Sequence, residues 1–212
     1  MNPEFLRLYL VTDPVLCGER GVVETCRQAL QAGVTAIQLR DKTASARQLI
    51  EMAKILKVLC EKHGALFLVN DRVDVALACH SCGVHLGQDD MPAETARRLL
   101  GPEAVIGISV RSVDEAVAAW KNGADYIAAN MVFATDTKTD LEKPLGLEAV
   151  SELKEATPLP LIAIGGINKT NADIVRKAGA DGIAVVSAIM AAPHVDKAVH
   201  DLLPGTHHTS ST

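Results

Sequence analysis

Eight short apolar, β-branched runs alternate with amphipathic stretches along this 212-residue chain. That alternation predicts an α/β fold, a closed TIM (β/α)8 barrel in a single domain. Two further observations agree. Most of the runs are apolar almost throughout, as parallel strands covered on both faces must be. A turn-like segment also recurs, as Ala32-Gly33-Val34-Thr35-Ala36, Asn122-Gly123-Ala124-Asp125 and Ala178-Gly179-Ala180-Asp181; glycine there can end a helix in the left-handed conformation just before a strand begins. An open doubly wound sheet is the alternative, but no phosphate fingerprint follows the first strand. The barrel is assigned to residues 1–203, and the short polar stretch 204–212 is read as a frayed tail.

In chain order the strands are expected at Leu8–Thr12, Ala36–Arg40, Leu66–Asn70, Gly83–Gly87, Val105–Val110, Tyr126–Asn130, Leu161–Gly165 and Gly182–Ser187. Between them run helical stripes: Val22, Val23, Cys26, Ala29 and Leu30, then Leu49, Ile50, Ala53, Leu56 and Cys60. Val113, Ala116, Val117 and Trp120 repeat the pattern, and Val195, Ala198, Val199 and Leu202 close it.

Composition narrows the function. Apolar residues make up 48% of the chain, enough for a large core. A net charge of −5 without a basic stretch argues against a nucleic-acid partner, though a few cations in a cleft can still draw small anions. No apolar run is long enough to span a bilayer, and Met1 to Leu8 lacks the blocks of a secretory signal, so a cytoplasmic location is expected. Five cysteines, an odd number in a chain of this length, do not suggest a disulfide framework.

Polar residues gather where the apolar runs end, the rim at which barrel enzymes hold their sites. Gln38, Arg40 and Lys42 follow one another at the second strand, Asn70 and Asp71 at the third, and Gln88, Asp89 and Asp90 at the fourth. Ser109 ends the fifth, Thr135 to Lys138 follow the sixth, Gly165-Gly166 ends the seventh and Val186-Ser187 the eighth. Asp71 and Asp90, on adjacent strand ends, can share a hard cation such as Mg2+, or be solvated loop acids or helix caps. Gly165-Gly166 with Val186-Ser187 suggests a phosphate cradle, against the plainer reading of a sharp turn. Arg40, Lys42 and Lys138 suit a multiply charged group. The polar stretch Ala134 to Pro144 is read as a lid. Cys79-His80-Ser81-Cys82 lacks the second pair a zinc site needs, and small buried thiols are expected instead. His85 is expected to be a hydrogen-bonded interior residue.

These rim segments resemble one family. Leu8-Tyr9-Leu10-Val11-Thr12-Asp13, Gln38-Leu39-Arg40-Asp41-Lys42, Val69-Asn70-Asp71-Arg72, Gly83 to Asp90, Thr135-Asp136-Thr137-Lys138 and Ala163-Ile164-Gly165-Gly166-Ile167 together resemble the thiamine phosphate synthases, from about residue 8 to residue 203. The resemblance implies a transferase of thiamine biosynthesis. Its small-molecule substrates would be hydroxymethylpyrimidine diphosphate and a thiazole phosphate, its products thiamine phosphate and pyrophosphate, and its cofactor Mg2+. It assigns Gln38 to the pyrimidine. Arg40, Lys42, Asn70, Ser109 and Lys138 would hold the diphosphate, with Arg40, Lys42, Ser109 and Lys138 counted as catalytic. Asp71 and Asp90 would take the metal, and Thr135, Thr137, Gly166, Val186 and Ser187 the thiazole phosphate. The chain departs from the family pattern at Asn130-Met131, where Gly-Pro is usual, and at Ala134, where Pro is usual. No membrane partner is implied, and self-association is left open.

Three rivals remain at this level. A thiazole tautomerase relative would share the fold but catalyse only a proton shift. A non-catalytic barrel would bind a phosphorylated ligand. A Schiff-base aldolase would need a lysine within a strand, whereas the candidates here lie in rim loops.

Overall fold

The computed structural model describes residues 1–134 and 143–205. Its strands are β1 (Leu8–Val11), β2 (Ala36–Leu39), β3 (Leu66–Asn70), β4 (Gly83–Leu86), β5 (Val105–Val110), β6 (Tyr126–Asn130), β7 (Leu161–Ile164) and β8 (Gly182–Val185). They close in chain order into a barrel, each parallel to the next. β8 returns to β1 with Ile183 beside Leu8 and Ala184 beside Tyr9. Around them run α1 (Gly21–Ala32), α2 (Ala46–His63), α3 (Val73–Cys79), α4 (Ala93–Leu100), α5 (Val113–Lys121), α6 (Gly146–Ala156), α7 (Ala172–Lys177), α8 (Ser187–Met190) and α9 (Val195–Leu202). The closed barrel agrees with the expected fold. The strands end a residue or two earlier than expected at β1, β2, β4, β7 and β8, and Ser187 opens α8 instead of ending a strand.

Strand parity divides the core in two. Outward residues such as Leu10, Ile37, Val69, Ile106 and Ile127 pack under the helices. Inward residues, among them Tyr9, Val11, Leu68, Tyr126, Ala128 and Ile162, fill the bore. Two tyrosines fit there because a neighbour lacks a side chain. A Cβ on Gly107 would stand 2.0 Å from the Tyr126 ring.

The recurring turns behave as expected. Gly33, Gly123 and Gly179 all have positive φ, at 115°, 83° and 110°. The expected stripe of α5 needs correction: Val113 and Trp120 are 41% and 45% exposed, while Ala116 and Ala119 are buried. On a helix, Val113 and Trp120 both lie about 40–60° to one side of Ala116 and Ala119 lies about 60° to the other. The face centred on the two small alanines lets the helix approach the sheet closely and leaves the large residues at its edge. The cysteine expectation is corrected in one case, since Cys82 is exposed. No helix among the described residues is long and apolar enough to cross a membrane.

The repeated Asp of two of these turns fastens the N-terminal end of the barrel. Asp125 Oδ2 accepts the Ile106 N–H at 2.7 Å and Arg97 Nη2 at 2.6 Å. Asp181 Oδ2 does the same for the Leu161 N–H at 2.7 Å and Lys154 Nζ at 2.6 Å. Each carboxylate, standing just ahead of one strand, thus ties the start of the strand before it to the helix that leads into that strand. Asp125→Ala is expected to cost about 2 kcal/mol of stability, the scale of a charge-assisted hydrogen bond lost at a strand end. Urea unfolding checks this, and kcat/KM should stay at the native value because the rim lies at the other end.

Candidate active site

The C-terminal ends of the strands surround a cavity that Gln38, Arg40, Asn70, Ser109, Gly166, Val186 and Ser187 line together. Seven of the residues expected at the rim are therefore in one place. Thr135, Thr137 and Lys138, with most of the expected lid, lie outside the described residues.

Local chemistry explains how the cations arrive. Gln38 and Arg40 are two apart on β2 and its extension, so both face the cavity. Buried Thr12 clasps Arg40 by its backbone. The Thr12 hydroxyl donates to Arg40 O at 3.0 Å and accepts from Arg40 N at 2.8 Å. Lys42 rides on a turn built by Asp41, whose Oδ1 accepts from the Thr43 N–H, the Thr43 hydroxyl and the Ala44 N–H. Burial alone would raise the Asp41 carboxyl, but these bonds outweigh it and hold the group below its usual range.

The two acids meet. Asp71 sits at the end of β3 with φ of 60°, and its N–H donates to His85 O at 2.9 Å, which turns the chain over β4. Asp90 is folded back over the same strand by the Gly87 N–H, which donates to its Oδ2 at 2.7 Å. Gly87 leaves room for this, since a Cβ there would stand 3.1 Å from that oxygen. The Asp71 carboxyl is pushed up to about 6, first by burial and then by the neighbouring Asp90, with Lys42 and Arg40 pulling the other way. Two carboxylates in hydrogen-bonding reach, flanked by two cations, form a donor set that fits Mg2+, an ion content with one or two protein carboxylates. Among the described residues no third Asp, Glu, His or Cys joins them.

Across the mouth, Gly165 and Gly166 have φ of 104° and 63°. Both also lack the space for a side chain: a Cβ would stand 2.6 Å from Met131 Cγ at Gly165 and 2.5 Å from Ala134 O at Gly166. The segment after β6 runs hard against these glycines, with Val132 N donating to Ile164 O at 2.9 Å and Phe133 N to Gly165 O at 3.1 Å. Met131 itself lines the cavity, as does Asn130. The unusual pair Asn130-Met131 therefore forms part of the wall.

Sequence reasoning missed several residues. Arg111 grips both ends of the loop after β6, donating from Nη1 to Asn130 O at 2.7 Å and from Nη2 to Lys143 O at 2.8 Å. Tyr9 and His85 line the cavity. Below them a chain of contacts crosses the bore: Gln38 Nε2 donates to Tyr9 Oη at 2.7 Å, which lies 3.1 Å from Tyr126 Oη. Tyr126 Oη is 2.8 Å from His85 Nδ1, and His85 Nε2 is 2.9 Å from Ser109 Oγ. His85 is thus the hydrogen-bonded interior histidine expected of it. Strand parity was the available signal for Tyr9 and Tyr126, which share a face with Val11 and Ala128.

Comparison with known proteins follows this geometry. The family model described as "Thiamine monophosphate synthase" matches residues 8–189. A thiamine-phosphate synthase of Moorella thermoacetica is 46% identical over 195 residues, covering 92% of this chain and 93% of the relative. One from Pyrococcus furiosus is 49% identical over 197 residues, covering 93% of each chain. The solved structure of a thiamine phosphate pyrophosphorylase from Pyrococcus furiosus superposes with a TM-score of 0.86 at 48% identity, covering 94% of this chain and 95% of that one. A match that runs from the first strand to α8, at nearly half identity and with the barrel superposing over almost its full length, leaves one conclusion: the chain belongs to the thiamine monophosphate synthase family.

Proposed function

We propose that this chain joins hydroxymethylpyrimidine diphosphate to a thiazole phosphate, giving thiamine phosphate and pyrophosphate, with Mg2+ held by Asp71 and Asp90. The observation that carries the reading is the meeting of Arg40 and Lys42 with the Asp71–Asp90 pair beside a cavity lined by Gln38, Asn70 and Ser109. Family membership supports the same reaction.

Each part of the site then has a task. Arg40 and Lys42 bind the diphosphate, and Asn70 and Ser109 add polar contacts to it. Asp71 and Asp90 would hold Mg2+, which would supply further positive charge to the departing pyrophosphate. Gln38 orients the pyrimidine, whose own amino group supports the carbon left electron-poor when the carbon–oxygen bond breaks. The thiazole phosphate sits across the mouth, on Gly166, Val186 and Ser187, with its nitrogen facing that carbon. Apolar residues of the wall, including Ile162, Ile164 and Met131, keep water away from the reacting atoms. No protein nucleophile is called for. Lys138, Thr135 and Thr137 join this scheme as further contacts to the two phosphate groups. The reaction is assigned to the cytoplasm. A proton-shifting tautomerase has no use for Lys42 beside an acid pair, which disfavours that rival.

Incubation of the chain with both substrates, with and without Mg2+, tests the reading. Thiamine phosphate, detected by mass, is expected only in the presence of the metal; its absence under both conditions would refute the assignment. Ser187→Ala is expected to raise the KM for thiazole phosphate about tenfold, the cost of one hydrogen bond to a charged group. An effect confined to the diphosphate substrate would mean that the two halves of the site are reversed.

A further inference from the structure

Five polar side chains from β1, β2, β4, β5 and β6 join end to end under the cavity: Gln38, Tyr9, Tyr126, His85 and Ser109. Tyr9 and Tyr126 are fully buried, and Gln38 and His85 nearly so. Burial raises both phenols far above their ordinary range, so each keeps its single proton.

One proton per hydroxyl fixes the direction of the whole chain. With the Gln38 amide donating to Tyr9 Oη, the arrangement that leaves no proton of the relay unused sends the Tyr9 proton to Tyr126 Oη and the Tyr126 proton to His85 Nδ1, at contacts whose distances alone allow either direction. Accepting at Nδ1 in this arrangement, His85 carries its proton on Nε2 and donates it to Ser109 Oγ. Two groups are left for the cavity: the Gln38 carbonyl Oε1, an acceptor, and the Ser109 hydroxyl proton, a donor. Reversing every bond would be just as complete internally, but it would offer an amide N–H at Gln38 and a lone pair at Ser109.

We propose that Tyr9 and Tyr126 are positioning residues that hold this relay in one polarity, so that Gln38 accepts from an amino group while Ser109 donates to an anionic oxygen. The inference rests on the reading above: the aminopyrimidine presents the amine and its diphosphate the anion. The reversed relay would set donor against donor and lone pair against anion, and would disfavour the same substrate at both ends. The tyrosines touch no reacting atom; they act through Gln38 and Ser109.

The test uses the full chain with 15N-labelled histidine, the His85 signals being assigned by their loss in His85→Asn. Long-range proton–nitrogen spectra of the protein alone are expected to show His85 as the Nε2–H tautomer, and Tyr126→Phe is expected to abolish that fixed preference. By calorimetry, Tyr126→Phe and Tyr9→Phe are each expected to weaken binding of hydroxymethylpyrimidine diphosphate about tenfold and to leave thiazole phosphate binding unchanged. Either tyrosine variant suffices if the other fails to fold. An Nδ1–H tautomer in the native protein overturns the relay, whatever the chain catalyses. So does native affinity for the diphosphate in a folded variant. A native chain that does not bind the diphosphate at all overturns the reading beneath it, and the substrate role of the relay with it.

Discussion

Asp90→Ala is expected to slow pyrophosphate release roughly a thousandfold at saturating Mg2+, the range seen when a group that stabilises developing charge is removed. The Asp90 carboxylate has two partners in the structure. One is the Gly87 N–H at 2.7 Å, a local bond that shapes the turn after β4. The other is Asp71, whose carboxyl burial and Asp90 together push up to about 6. Asp90→Asn separates the two roles, because an amide oxygen can still accept from Gly87 but brings no charge. Both variants are therefore expected to be slow, and the asparagine one to keep the native melting temperature. Single-turnover release of pyrophosphate together with circular dichroism measures both. Turnover at the native rate in either variant would remove Asp90 from the proposed metal site.

Arg40→Ala is expected to lower kcat/KM for the pyrimidine diphosphate by about a thousandfold, since it removes a planar, permanently charged fork from the cavity wall. Arg40→Lys should recover only part of this, as an ammonium brings the charge without the two parallel donors. Thr12→Val gives a graded control. It leaves the guanidinium in place but deletes the hydroxyl that clasps the Arg40 backbone at 2.8 and 3.0 Å. Steady-state kinetics on the three variants should rank them Thr12→Val, Arg40→Lys, Arg40→Ala in order of increasing loss. Equal kcat/KM for Arg40→Ala and the native chain would place the diphosphate elsewhere.

The architecture could be read from the sequence because it depends on local pattern. Apolar runs bounded by polar rim residues located every strand to within two residues, and the glycines of the repeated turns marked where three helices stop. Trp120 falls outside the packed face of α5 because the helix meets the sheet through Ala116 and Ala119, and small residues are what a close approach requires. In the site, Gln38, Arg40, Asn70 and Ser109 could be located because each stands where an apolar run ends. The pairing of Asp71 with Asp90 depended on adjacent strand ends and so could be anticipated. Arg111 and the tyrosine relay could not. The first bridges two points of a long loop, and the second joins β1 to β6 across the bore, over 117 positions of sequence, with a glycine at 107 making the space.

That crossing of the bore has a consequence for side reactions. With two phenol rings across its bore, the barrel is a cup and not a tube, and under the proposed reaction an electron-poor fragment at its base would meet only what came in over the lip. Selectivity against hydrolysis would then be partly a property of the floor.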